Sequence, residues 1–213
     1  DRKTRLLFGN ENIPFSTVEA YKSFRTALSF VISTYDSRIV AMTSANPSEG
    51  KSVTVANLAV AVAQTDKKVL LIDADMRKPV LLKCFRLSNK VGLSVVITGD
   101  KPLDKALNRN VTGSLDVLTS GTIPPNPSEL LASRQMKKLL ETLKERYDMI
   151  LIDCAPINVV SDVAGLSQEI AGVVMVVHYG STTYPELDDA VNRLALANCN
   201  VLGFAVNEVS SKH

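Results

Sequence analysis

The chain has little that would tie it to an oxidising compartment, a lipid bilayer or a polyanion. Its three cysteines, Cys84, Cys154 and Cys199, lie far apart, with no C-x-x-C pair and no histidine neighbour. That argues against a disulfide framework or a zinc site, and for reduced, cytosolic thiols. No apolar run, Ala171 to Val177 included, approaches the roughly 20 residues of a membrane-spanning helix. No basic segment followed by a small-residue cleavage site opens the chain, so it reads as soluble; beginning at Asp1 rather than Met, it also reads as cut from something longer. Lys and Arg number 24 against 22 Asp and Glu, a balance that asks for no nucleic acid. The small basic cluster Arg2, Lys3 and Arg5 reads as a solvated tail or linker. No G-x-G-x-x-G follows a strand, which disfavours a dinucleotide oxidoreductase, and there is no internal repeat or low-complexity stretch. What remains is 213 residues at 46% hydrophobic content, enough for one α/β domain with a sizeable core over residues 1–213.

Residues 1–15 are polar and irregular. Ser16-Thr17-Val18-Glu19 then has the form of a capping box ahead of an apolar stripe at Ala20, Phe24, Ala27, Leu28 and Val31, predicting a helix to about residue 33. Short apolar runs follow at 38–43, 68–72, 115–118, 149–152, 172–177 and 201–206, apolar on both faces as buried parallel strands are. Helical patterns lie between them at 52–63, 102–108, 135–147 and 184–197, with a further start at Asn126-Pro127-Ser128-Glu129. The alternation predicts an α/β fold, a doubly wound, mostly parallel sheet.

The segment Ser44-Ala45-Asn46-Pro47-Ser48-Glu49-Gly50-Lys51-Ser52-Val53 stands between a predicted strand and a predicted helix. A loop wrapping a polyphosphate aims backbone N–H groups inward, and the helix N-terminus adds a favourable dipole. Gly50 leaves room for close approach, Lys51 reaches the β and γ phosphates of ATP or GTP, and Ser52 ligates Mg²⁺. The binding set is therefore Ser48, Glu49, Gly50, Lys51, Ser52 and Val53, even though Ala45 occupies the place of the pattern's first glycine. Two further apolar runs end in carboxylates: Leu70-Leu71-Ile72-Asp73-Ala74-Asp75 and Met149-Ile150-Leu151-Ile152-Asp153. In open parallel sheets ligands sit at the carboxyl ends of the strands, so these groups are placed to meet the loop. Asp153, through water, and Asp73 are candidates for the metal's surroundings. Asp75, with Asp73, is placed to hold an acceptor hydroxyl or water in line.

The three motifs resemble the Walker A, A′ and B sequences of the bacterial tyrosine kinases (BY-kinases) that regulate capsular and exopolysaccharide synthesis. Similar segments are Tyr21-Lys22-Ser23-Phe24-Arg25-Thr26, Met76-Arg77-Lys78-Pro79, Gly92-Leu93-Ser94 and 120–131, so the likeness runs along nearly the whole chain. The resemblance implies a P-loop NTPase-like fold and ATP-dependent autophosphorylation on tyrosine, with ADP as product and Lys51, Asp73, Asp75 and Asp153 as the catalytic set. It also implies a membrane-anchored activator or fused transmembrane module, placing the domain in the cytoplasm at the inner face of the membrane. Ring-shaped homo-oligomers follow from it too, with Glu19, Lys22 and Arg25 of the 16–33 helix matching the family's E-x-x-[RK]-x-x-R. Asn207, after the last strand, corresponds to an adenine contact in related folds, or it caps the strand end.

The chain departs from the family at Ser48 and Ala155, which stand where glycine and proline are usual, and after Glu208 it ends without a tyrosine cluster. A left-handed backbone at Ser48 would cost roughly 1–2 kcal/mol. Tyr21, Tyr35, Tyr147, Tyr179 and Tyr184 are scattered and read as packing or surface residues. His178 has no metal-like companion, and Cys154 reads as a small buried side chain. Arg77 and Lys78 suit either a phosphate or subunit contact or a solvated turn. Two other functions fit parts of the sequence: a non-kinase ATPase switch, disfavoured by Asn46 where such proteins carry a signature lysine, and an ATP-binding docking module of polysaccharide assembly.

Overall fold

The computed structural model describes residues 13–209, so the basic cluster at 2–5 and the end at 210–213 lie outside it. Seven strands form one sheet: β1 (Ile39–Ser44), β2 (Val69–Asp73), β3 (Leu107–Thr112), β4 (Leu115–Leu118), β5 (Met149–Asp153), β6 (Gly172–His178) and β7 (Val201–Asn207). Their order is β3-β4-β2-β5-β1-β6-β7. All neighbouring pairs are parallel except β3 with β4. The central strands are buried on both faces, which is why they read as continuous apolar runs.

Helices cover both faces. On one, α1 (Phe15–Ile32), α2 (Lys51–Ala63) and α3 (Leu81–Phe85) pack on Val40, Met42, Val69, Leu71, Met149 and Leu151. The other face carries Ile39, Ala41, Leu70, Ile72, Ile150 and Ile152 against α4 (Leu93–Ile97), α5 (Leu103–Ala106), α6 (Pro127–Leu131), α7 (Arg134–Lys144) and α8 (Tyr184–Leu196). α2 is buried along nearly its whole length because it lies between the sheet and α1. That explains a helix apolar all round.

Several local expectations need correction. α1 begins at Phe15 after Pro14 with no side-chain cap, so the expected box at residues 16–19 does not form. Its inward stripe is Tyr21, Phe24, Leu28 and Ile32, while Ala20 and Ala27 face outward. The helix expected over 102–108 stops at Ala106, and the chain continues as β3. α7 begins one residue early because Ser133 Oγ accepts the Met136 N–H at 3.1 Å. α8 carries a capping box the sequence reading missed, Thr183 with Glu186.

Register places the chemistry. β2 and β5 pair in register through their last residues, Asp73 opposite Asp153, and Met42 of β1 lies opposite Asp153 on its other side. Beyond the strands the pairing continues: Cys154 N–H donates to Met42 O, Ile157 N–H to Ser44 O and Asn158 N–H to Ala45 O. The loop after β5 is thereby zipped to the loop after β1.

Candidate functional site

The loop from Ala45 to Gly50 leaves β1 and delivers the chain into α2, whose N-cap Gly50 is left-handed at φ 82° and offers no side-chain hydrogen bond. A Cβ at Gly50 would run into the Asn207 side-chain amide and displace it from the loop, while the left-handed φ is what favours glycine at this position. Ser48 is also left-handed, φ 68°, the conformation in which its substitution for glycine is costly. Four contacts hold this loop. Ser44 Oγ donates to Asn46 O, Asn46 N–H donates to Glu49 Oε2, and Thr182 Oγ1 donates to Glu49 Oε1 at 2.6 Å. Asn207 Nδ2 donates to Glu49 O at 3.2 Å.

The carboxylate of Glu49, one of the expected binding residues, is buried and accepts from Asn46 of the loop and Thr182 outside it, so what Glu49 has left to offer a ligand is its backbone N–H. Thr182, on the connection from β6 to α8, was not foreseen; nothing local in its sequence marks it, since the contact spans 133 residues. Asn207 reaches the loop from the end of β7, where the sequence reading placed it, and its amide meets the loop backbone.

Lys51 opens α2 and points into the carboxylates that end β2 and β5. Its Nζ lies 2.5 Å from Asp153 Oδ1 and 3.7 Å from Asp75 Oδ2, and donates to Ser52 Oγ at 3.3 Å. Asp73 sits beside them, its Oδ2 accepting the Leu81 N–H. Asp75 turns back on its own chain, its Oδ1 accepting the Lys78 N–H at 3.1 Å. The structure therefore brings Lys51, Ser52, Asp73, Asp75 and Asp153 together.

One ammonium among three carboxylates leaves an excess of negative charge in a buried place. Burial works against the charged Lys51, but Asp153, Asp75 and Asp73 outweigh it and raise its pKa. Burial and the adjacent Asp153 hold the Asp73 carboxyl well above the usual carboxylate range, against the pull of Lys51. Asp153 is pushed up by burial, opposed by Lys51 and by hydrogen bonds from Lys51 and Ser52. Asp73 Oδ1 and Asp153 Oδ2 are buried without a hydrogen-bond partner. Such oxygens are costly unless something binds them.

A hard divalent cation fits this donor set, which is all oxygen: Ser52 Oγ, Asp153 and Asp73. Among the described residues no group of three or more His, Cys, Asp or Glu side chains is arranged to cage a metal. Mg²⁺ keeps waters and arrives with phosphates, so a few protein oxygens suffice for it. Burial pushes the Cys154 thiol far up, so beside Asp153 it is an inert small side chain.

Of the three residues matched to an assembly motif, Lys22 and Glu19 pair with each other at 2.7 Å on the surface of α1. Arg25 instead donates Nη1 to Ala61 O at 2.8 Å, near the C-terminal end of α2. Arg77 is no free turn residue: its guanidinium meets Asp162 and Ser128. Among the described residues no helix is long and apolar enough to cross a membrane.

The pattern of an AAA domain matches residues 37–182. The chain is 43% identical over 196 residues to the tyrosine-protein kinase YwqD of Bacillus subtilis, covering 92% of this chain and 83% of that protein. It is 37% identical over 227 residues to the tyrosine-protein kinase Etk of Escherichia coli, covering 98% of this chain but only 31% of Etk. The chain thus spans about a third of that relative's length. The solved kinase domain of the Escherichia coli enzyme superposes with a TM-score of 0.85 at 35% identity, over 96% of this chain and 85% of that one. The septum site-determining protein MinD of Pyrococcus horikoshii, complexed with Mg-ADP, shares the fold at a TM-score of 0.67 and 24% identity, over 82% and 72% of the two chains.

Proposed function

The chain belongs to the bacterial tyrosine-protein kinases, and from that membership we propose that residues 1–213 form one P-loop unit that transfers the γ-phosphoryl group of ATP to tyrosine. The observation that carries the reading is the buried cluster of Lys51, Asp75 and Asp153 at the N-terminus of α2, with Asp73 and Asp153 each offering an unpartnered oxygen. ATP lies along the loop Ser48–Val53, its phosphates met by backbone N–H groups and the helix dipole. Ser52 and, around it, Asp153 and Asp73 would hold a Mg²⁺ ion arriving with the nucleotide, which would supply neutralisation of phosphate charge.

The remaining work falls to this chain's side chains. Lys51 moves from its carboxylate partners to the β and γ phosphates and compensates the charge that builds as the bond to ADP breaks. Asp75 holds the phenolic hydroxyl in line and takes its proton as the new oxygen–phosphorus bond forms. Asn207 stands at the nucleoside end, where its amide can serve the adenine as well as Glu49 O.

The whole protein is proposed to act in exopolysaccharide or capsule synthesis at the inner face of the membrane, through a membrane-anchored activator or a fused transmembrane module. It assembles into homo-oligomeric rings through α1, with Glu19 and Lys22 on its surface and Arg25 at its seam with α2 contributing. Asp75→Asn separates binding from transfer: ATP affinity by calorimetry should stay within about threefold, while phosphotyrosine formation falls by two to four orders of magnitude, the usual worth of general base catalysis. Full transfer by Asp75→Asn would remove the base from Asp75.

A further inference from the structure

Asp162 opens a 3₁₀ turn, Asp162–Leu166, with its side chain wholly buried, and the chemistry above gives it no task. Its partners come from the loop after β2 and from α6. Arg77 brings Nε to 3.3 Å from Oδ2 and Nη2 to 3.4 Å from Oδ1, and Ser128 Oγ donates to Oδ1 at 2.5 Å. Arg77 Nη2 also donates to Ser128 Oγ at 3.0 Å. The connections that leave the carboxyl ends of β2, β4 and β5 therefore meet at one carboxylate.

Apolar packing would join three connections at lower cost, since burying a carboxylate costs several kcal/mol unless it is fully paired. What a forked guanidinium–carboxylate contact adds is direction. Arg77 is two residues beyond Asp75, and the turn between them is closed by the Lys78 N–H on Asp75 Oδ1. Anchoring the guanidinium fixes that turn from outside, while Lys51 meets Asp75 from inside.

We propose that Arg77, Ser128 and Asp162 are positioning residues that hold the Asp75 turn and so aim its carboxylate at the acceptor hydroxyl. The link to the acceptor rests on the kinase reading; the tether itself does not. Because Arg77 is 40% exposed at its side chain, its replacement leaves the core intact but strands a buried Asp162. The informative variant is therefore Arg77→Gln with Asp162→Asn, which removes the tether and the stranded charge together.

In this double variant, unfolding by urea should match the parent, the Lys78 amide should exchange with solvent about tenfold faster, and amides within β1 and β5 should exchange as before. Single-turnover transfer from MgATP to a tyrosine peptide should fall about tenfold with the KM for ATP within about twofold. A stable double variant with parental Lys78 exchange overturns the tether, and one with faster exchange but parental transfer overturns its role in aiming Asp75. If the parent chain transfers nothing to tyrosine, the kinase reading fails on its own, and Lys78 exchange still decides the tether. Should the double variant not fold, Ser128→Ala, at an exposed position, is expected to give the same signs more weakly, and parental Lys78 exchange in it overturns the tether.

Discussion

Asp73 shows how far a single residue can be set against the stability of its own fold. Its carboxyl is held well above the usual range by burial and by Asp153, so folding favours its protonated form. The sign follows: its contribution is most favourable below the ordinary carboxyl value of about 3.9 and is lost as pH rises through the higher folded-state value. Asp73→Asn should therefore raise stability at pH 7 by on the order of 1 kcal/mol and flatten its decline with pH, while lowering transfer. Urea unfolding between pH 4 and 8 without nucleotide or Mg²⁺ checks this; equal slopes for parent and variant would contradict it. At this scale much was legible. Lys51, Ser52 and the three aspartates stand together because a loop and two strand ends announce themselves in short motifs. Thr182, Ser128 and Asp162 were invisible, since each acts through a partner 34 or more residues away that no local pattern marks.

Among the elements, α1 illustrates the limit of periodicity. A helix was evident, but its inward face is rotated by about one residue from the stripe read in the sequence, because Tyr21 is amphipathic and fills the seam against α2. Burial raises the Tyr21 hydroxyl, against hydrogen bonds with Thr54 and Asn57 of α2. The same seam divides the assembly motif. The exposed Glu19–Lys22 pair contributes about 0.2–0.5 kcal/mol, whereas Arg25 satisfies a carbonyl near the end of α2, a contact of about 1 kcal/mol. Glu19→Ala/Lys22→Ala should thus weaken the proposed rings with the protomer's unfolding free energy nearly unchanged. Arg25→Ala should lower both, as read by sedimentation beside urea titration. Parallel losses in both variants would contradict the division. β3 was missed for a different reason: Leu107–Thr112 is a polar edge strand, half exposed and antiparallel, without the apolar run that betrays its neighbours.

Over the whole molecule, strand alternation made the doubly wound sheet legible, and sheet order explains where the site lies. β2, β5 and β1 are adjacent at the centre, so the carboxyl ends of the first two deliver Asp73 and Asp153 beside the loop that leaves the third. The left-handed stretch of the loop, strained at Ser48 and relaxed at Gly50, is then latched at Glu49 from β7 and the β6–α8 connection by Asn207 and Thr182. In a site assembled from four connections, the proposed nucleotide, metal and acceptor would be aligned by the sheet rather than by any one segment. The most direct measurement is transfer of label from γ-labelled ATP with Mg²⁺ to tyrosine, in the intact protein and in Lys51→Met, read by phosphotyrosine mass spectrometry. The account predicts phosphotyrosine in the first and a loss of at least about a thousandfold in the second. Bound ATP with release of inorganic phosphate and no phosphotyrosine, or transfer that survives Lys51→Met, would contradict it.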